Sequence, residues 1–506
     1  MTATAQSASF APPASERVGR GARLALLAAV ALVLVIAVIR AGYCWATDAW
    51  INHPAGVLIA MAADLKNGLF YRPLFGPAGY GGTRYFPLYF VLHALLIKMG
   101  IPVLLGAYLL SAAAILSLLA GVFYLLRGLG VEPWLAACSA AAILAVISAQ
   151  QSLVSPHADG LASSLNIWGL AVSVRPRLSH GKVLLAAALF TLAWATKVTS
   201  VFGFVAVFVW LVSTGLRTTA WELAGETCLG YLLVGNALVA GTQGRIVEIF
   251  KACASGGTGL LGFAAGPWKL VAQIARLDPA LLLFILLALV ALVRVTLSRK
   301  FLQSLPAVYF VAALVVTGII FGSPGLNENH FLDIQVASVV LIAWWIAHAA
   351  LPQKQVGVYA LALVVLMAVV PLLGILKNGD RRFHMHRFQK VLAAVGETSK
   401  PILSENPVIP VLAGQQSYVL DPWMLRLLRE DRPDFGEPLL EGLRHQAFGV
   451  VVLCMADPRT SAGQQWYETA HFGPGFVAAL NDNYRLAAMF DDQRVYLPIP
   501  DASRGK

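Results

Sequence analysis

Eleven runs of mostly apolar residues succeed one another up to residue 377 of the 506-residue chain, at 24–39, 103–126, 133–150, 160–174, 183–196, 199–216, 221–241, 279–297, 304–322, 331–350 and 355–376. Most are roughly 15–24 residues long, about what a helix needs to cross a hydrocarbon core of ~30 Å. The chain is 58% hydrophobic and 12% charged, whereas soluble domains run at about 45–50% apolar and about 25% charged. A single soluble core stops growing at roughly 250–300 residues and could not bury this much apolar surface. The fold class expected is therefore an all-α polytopic membrane bundle of about eleven transmembrane helices.

Charge placement orients the bundle. Residues 1–23 are rich in Ala, Ser and Pro and read as a disordered cytoplasmic tail. Arg17, Arg20 and Arg23 precede the first run as they would in a signal peptide, but no small-x-small cleavage site follows, so the helix is read as uncleaved. Threading from a cytoplasmic start puts Arg127, Arg175, Arg177, Lys182, Arg217, Arg294, Arg299, Lys300 and Lys354 inside. The outer loops 152–159 and 323–331 carry no Lys or Arg, and Lys197 is the lone base of the third. The same threading puts 40–102, 242–278 and everything after Lys377 on the outer face. The expected location is the cell inner (plasma) membrane, with the C-terminal part periplasmic or extracytoplasmic. The formal charge of +11 is thus orientation charge beside lipid, and no motif points to nucleic acid. Cys44, Cys138, Cys228, Cys253 and Cys454 form no CxxC pair and suggest neither a zinc site nor a disulfide framework.

Three regions follow: the tail 1–23, a transmembrane region 24–377, and a small soluble α/β domain 378–506. In the last, FGVVVLCM at 448–455 reads as a buried strand, and 439–445 as a helix opened by Pro438. Residues 484–489 and 493–497, split by the Asp491-Asp492 turn, read as a hairpin.

The first outer loop, about 44–100, is too long for a connector and is half apolar. Pro54 can open a helix capped by Asn52 or His53 and stopped at Gly68, with Val57, Ala60, Met61 and Asp64 on one face. Pro87 can open a second, through Met99 to Gly100. A turn-rich aromatic segment lies between them. The pattern fits two interfacial helices lying along the membrane surface.

Several stretches, in this order, carry a resemblance. Asp48 follows the first run; then come A-x-D-L-x-N-G-x-x-Y-R-P (Ala62 to Pro73) and R-Y-F-P-L-Y-F-V-L-H-A-L-L (Arg84 to Leu96). H-A-D-G-L-A (His157 to Ala162), A-T-K-V-T-S (Ala195 to Ser200) and G-L-N-E-N-H (Gly325 to His330) follow, with S-E-N-P…V-L-A-G (Ser404 to Gly414) and V-L-D-P (Val419 to Pro422) near the end. Together they resemble the GT-C superfamily of integral membrane glycosyltransferases, which includes protein O-mannosyltransferases and the aminoarabinose transferases of lipid A. The resemblance implies a hexosyl- or pentosyltransferase that moves a sugar from a polyprenyl-phosphate donor to a glycan, lipid or protein acceptor on the outer side. It also implies a carboxylate in the first outer loop acting as base or orienting the acceptor. Many bacterial members carry Glu where this chain has Ala55; the acidic role then falls to Asp48 or Asp64, or a base role to His53, or the activity is lost.

The chemistry demands cations for an anionic lipid headgroup and a base within hydrogen-bond reach of a weakly nucleophilic hydroxyl. Asp48, at the outer end of the first span, is the preferred catalytic carboxylate; Asp159 is the reserve, and Asp64 a third. Each has a plainer reading: Asp48 as a solvated helix end, Asp159 as a helix-terminal charge favoured by the macrodipole, Asp64 as the partner of a base such as Arg84. The expected substrate-binding residues are His53, Arg72, Arg84, Tyr85, His157, Lys197, Asn327, Glu328 and His330, with Lys197 on the carrier phosphate. His53 could equally be a cap, and Arg72 and Arg84 could snorkel. No metal site is assigned; a divalent cation (Mg or Mn) near Glu328 and His330 stays open. The rival functions are a multi-pass transporter or flippase of lipid-linked glycans, and a polymer ligase. A transporter usually shows internal repeats and midplane charges, whereas here polar residues collect at the outer ends.

Overall fold

The computed structural model describes residues 18–174, 178–253, 259–298, 301–323, 328–378 and 387–500. Each of the eleven apolar runs is helical. Length separates them. Six described helices are long and apolar enough to cross a membrane: Arg20–Thr47, Val103–Gly128, Arg217–Gly241, Pro279–Leu297, Glu328–His348 (a 3-10 turn leading into an α-helix) and Leu351–Asn378. A seventh span arises if Pro133–Ala145 and Ile147–Val154, bent by 79° at their junction, count as one. Ala158–Ser173, His180–Thr196, Phe202–Ser213 and Leu305–Ile320 have only 12 to 17 residues, or about 18–26 Å of rise. By length alone six or seven described spans qualify, and the other four of the eleven runs are these shorter helices.

The bend is chemically supported. Val146 is extended (φ −105°, ψ 143°), which interrupts the ladder of backbone hydrogen bonds in a setting where water cannot replace them. Buried side chains do so instead. Asp278 accepts from the N–H of Ile147 at 2.9 Å and from that of Leu281 at 3.2 Å, and the Gln150 side chain donates to the Leu144 carbonyl at 2.8 Å. Large apolar side chains such as Val38, Leu232, Leu233 and Val370 stay exposed on the rim of the bundle, as a lipid-facing surface requires.

Charged and polar loop residues gather in two clusters at opposite ends of the bundle. Glu132 takes an ion pair from Lys354 at 2.8 Å and from Arg23 at 3.5 Å, joining three segments assigned inside. Asp159, Lys197 and Asn329, from three outer loops, meet at the other end.

In the first outer loop, helix His53–Lys66 opens on an Asn52 cap, whose side chain accepts from the Ala55 N–H at 3.2 Å. It ends before Gly68, at φ +87°. Helix Pro87–Lys98 ends before Gly100, also at φ +87°. The first is not an interfacial amphipathic helix: Ala55 through Ala62 are all buried, because the bundle covers one side and the C-terminal segment the other. Between them a short hairpin, β1 (Phe75–Gly76) and β2 (Gly79–Tyr80), is stitched to the C-terminal segment. The Tyr80 N–H donates to the Tyr418 carbonyl at 2.7 Å and the Leu420 N–H to the Tyr80 carbonyl at 2.9 Å. Gly79 sits at φ +93°, and a Cβ there would lie 2.0 Å from the Tyr418 carbonyl oxygen, so only glycine permits this approach.

The C-terminal segment is α/β. Strands β3 (Ile402–Ser404), β4 (Val450–Leu453), β5 (Tyr484–Phe490) and β6 (Gln493–Pro498) form a sheet of order β3-β4-β6-β5. β3 and β4 are parallel and the other pairings antiparallel. The expected strand, hairpin and Pro438 helix (Glu437–Arg444) are present. Residue 378 ends the membrane helices but not a core: Val57, Met61, Tyr71 and Phe90 pack in one cluster with Leu403, Leu420, Met424 and Val451.

Candidate active site

Asp159 lies in the first turn of helix Ala158–Ser173, 4% exposed. Lys197 terminates helix His180–Thr196 in an extended conformation and places Nζ 2.5 Å from Asp159 Oδ1. Asn329 Nδ2 donates to Asp159 Oδ2 at 3.0 Å. One level deeper, the Ser163 hydroxyl donates to Asp333 at 2.6 Å. His157 and His330 stand within electrostatic reach of both Asp159 and Lys197. His157 Nε2 and His330 Nδ1 are buried with no hydrogen-bond partner among the described residues. Buried imidazole nitrogens without partners are costly, so this end of the bundle is built to receive polar groups.

The opposite wall comes from the first outer loop and the C-terminal segment. Arg84 is half-buried and has no hydrogen-bond or ion-pair partner among the described residues, although Asp421 and His330 are within electrostatic reach. Tyr85, beside it, senses both Asp421 and Asp159. His53 Nε2 lies 3.2 Å from Asp421 Oδ1, and the rings of His53 and His471 meet edge-on at 4.9 Å. Behind them Glu405 is fully buried and accepts from His471 Nδ1 (2.8 Å), Trp466 Nε1 (2.8 Å), the Tyr467 hydroxyl (3.0 Å) and the Cys454 N–H (2.7 Å). Burial opposes ionisation of Glu405, yet these donors outweigh it and hold the carboxyl below its usual range. Burial likewise lowers the basicity of His471 despite its partner.

The other expected carboxylates have other partners. Asp64 is gripped by Arg72, not Arg84: Arg72 Nε and Nη2 donate to its two oxygens at 2.5 and 3.0 Å, and Gln416 adds a bond at 3.2 Å. Arg72 also donates to the Ser417 carbonyl, so both residues are spent tying the first outer loop to the C-terminal segment. Burial raises Asp64 above the usual carboxylate range in spite of Arg72. Asp48 is the left-handed cap (φ 53°) of the first helix and accepts from the Tyr108 hydroxyl at 2.7 Å. Ala55, where related sequences were expected to carry Glu, is fully buried. Glu328 lies beside the Asp159 cluster, within reach of His157; Asn327 lies outside the described residues. Among the described residues no group of three or more His, Cys, Asp or Glu is placed to hold a metal ion.

The geometry thus gathers Asp159, Lys197, His157, His330, Glu328, Arg84 and Tyr85, and through His53 it adds Asp421, Glu405 and His471. These last three were not singled out from the sequence as site residues, although S-E-N-P and V-L-D-P carry two of them. Next to the cluster runs an apolar groove of about 420 Å³ lined by Phe86, Trp194, Leu238, Val239, Ile246 and Phe250, together with Lys251. Phe86 is two residues from Arg84 and Trp194 three from Lys197.

No family model and no curated protein matches the sequence. Solved structures do match the fold. ArnT from Cupriavidus metallidurans bound to undecaprenyl phosphate superposes with a TM-score of 0.53 over 94% of this chain and 98% of its own, at 12% identity. The Archaeoglobus fulgidus oligosaccharyltransferase in its apo form gives 0.56 over 92% of this chain and 72% of its own, at 11% identity. The same organism's AglB, in complex with an inhibitory peptide and a dolichol-phosphate, gives 0.56 over 95% and 75%, also at 11%. The chain has the GT-C fold.

Proposed function

We propose that this protein is a membrane glycosyltransferase that moves a sugar from a polyprenyl-phosphate carrier to an acceptor hydroxyl or amide on the outer side of the membrane. The observation that carries the reading is that Asp159, Lys197 and Arg84, the last without a partner among the described residues, all lie within electrostatic reach of His330, beside an apolar groove. A polyprenyl phosphate has just these two halves, an anionic head and a long apolar tail. Similar folds are known bound to undecaprenyl phosphate and to a dolichol-phosphate.

In this reading the tail follows the groove past Phe86 and Trp194, and Arg84 and Lys197 hold the phosphate. Asp159 accepts the acceptor's proton as its oxygen or nitrogen attacks the anomeric carbon. The bond from that carbon to the phosphate oxygen breaks, and its electron pair leaves with the phosphate, where the two cations stabilise the charge. Fixed donors of this kind are worth roughly 10²–10³-fold in rate each, and a positioned base about 10²–10⁴-fold. Asp48, held by Tyr108, is the second candidate for the base. Asp421 and His53 close the outer wall.

The test is sugar release from a polyprenyl-phosphate-sugar donor by the purified full chain in detergent or nanodiscs. Release that depends on Arg84 and Lys197 supports the reading. Transport of the intact lipid-linked sugar without release would replace it.

A further inference from the structure

Asp159 is not poised as a base in the structure as it stands. Its carboxylate is 4% exposed, the Lys197 ammonium sits 2.5 Å from Oδ1, and the Asn329 amide donates to Oδ2 at 3.0 Å. A carboxylate neutralised by a contact ammonium is a weak proton acceptor, because taking the proton would break the pair in a low-dielectric setting. Lys197 is also not free to bind an anion while it holds Asp159.

Both groups can change partner. Lys197 stands on the short non-helical step between His180–Thr196 and Phe202–Ser213, and its four-carbon stem lets a point charge swing without moving the backbone. Among the described residues Arg84 has no partner, and His157 and His330 offer buried nitrogens without partners.

We infer that the carrier phosphate of the donor draws Lys197 off Asp159, so that donor binding precedes and creates the base that receives the acceptor's proton. This rests on the transferase reading above. It makes the addition of substrates ordered, donor first, and it makes Asp159 a competitor of the donor for Lys197.

Competition has a sign that a fixed structural pair does not share. Undecaprenyl phosphate in nanodiscs serves as the probe, with inorganic phosphate as a control for headgroup binding without the tail. Asp159→Asn should bind undecaprenyl phosphate about tenfold more tightly than the unmodified protein, within the range of couplings between contacting charged neighbours. Lys197→Gln should weaken binding by a similar factor. In the double variant the gain from Asp159→Asn should vanish, since no ammonium remains to be released. Asp159→Ser repeats the comparison should Asp159→Asn fail to fold, and melting curves establish that each variant is intact. Weaker or unchanged binding by Asp159→Asn, with Lys197→Gln still impaired, would overturn the competition and leave the transferase reading standing. Failure of the unmodified protein to bind the probe would remove both.

Discussion

Asp48 accepts a hydrogen bond from a phenol, whereas Asp159 holds an ammonium and an amide and has two imidazoles nearby. The second environment can trade charge with an anionic donor. At saturating donor, Asp159→Asn should therefore lose at least about a hundredfold in turnover, and Asp48→Asn less; normal turnover by Asp159→Asn with loss in Asp48→Asn would return the base to the first outer loop. Arg84→Gln should raise the apparent donor KM, measured in the same assay, because its guanidinium has no structural partner to lose among the described residues. Asp159 and Lys197 were both legible from the sequence, as polar residues at the outer ends of apolar runs. Their contact was not. They lie 38 residues apart, and whether two loop ends touch depends on the lengths and tilts of the helices between them.

Among the elements, the helix of the first outer loop shows what local rules capture. Asn52, Pro54 and Gly68 set its bounds through capping and backbone freedom, and these are visible in sequence. Its surroundings are not, because an apolar stripe looks the same whether lipid or a folded segment covers it. Asp64 shows the consequence: it faces Arg72 in a nearly dry contact, with side chains 11% and 4% exposed. Breaking such a pair strands a buried charge. Arg72→Met should destabilise the protein by about 3–5 kcal/mol, whereas Asp64→Leu with Arg72→Met should recover most of it, as read by thermal unfolding in detergent. The buried Glu405–His471 pair makes a pH prediction. The folded carboxyl is held below its usual value, so its contribution is full above the ordinary carboxylate range and fades as pH falls through the folded pKa. The imidazole is also held low, so an unfolded chain gains its proton first, below a pH of ~6.5. Both effects have the same sign. The melting temperature should fall as pH drops from ~7 towards ~4, and Glu405→Gln should melt lower at neutral pH with a flatter acid slope. An unchanged slope would mean that other groups govern the acid limb.

On the scale of the whole molecule, composition alone required lipid as the solvent, and the helices agree. The number of crossings is harder, because hydropathy counts apolar runs while a membrane counts length. The bend at Val146 and the short helix Phe202–Ser213 are places where a run is long enough in apolar residues but not in straight helix. Sidedness rests on different evidence. Arg23, Glu132 and Lys354 meet at one end, and Asp159, Lys197 and Asn329 at the other, so the charge-poor loops share one face and the charge-rich segments the opposite one. The positive-inside tendency predicts that the charge-rich face is the cytoplasmic one, with the α/β segment and the candidate site outside. That segment offers protease sites: the side chains of Arg432, Arg444 and Arg459 are 59%, 53% and 57% exposed. Trypsin added to intact spheroplasts should therefore cut within 432–459 and shorten a C-terminally tagged chain, while a cytoplasmic marker protein stays whole. If the segment resists until the membrane is lysed and is cut afterwards, the orientation is reversed. The donor would then have to be met on the cytoplasmic side, and the outward direction of transfer would fall with it.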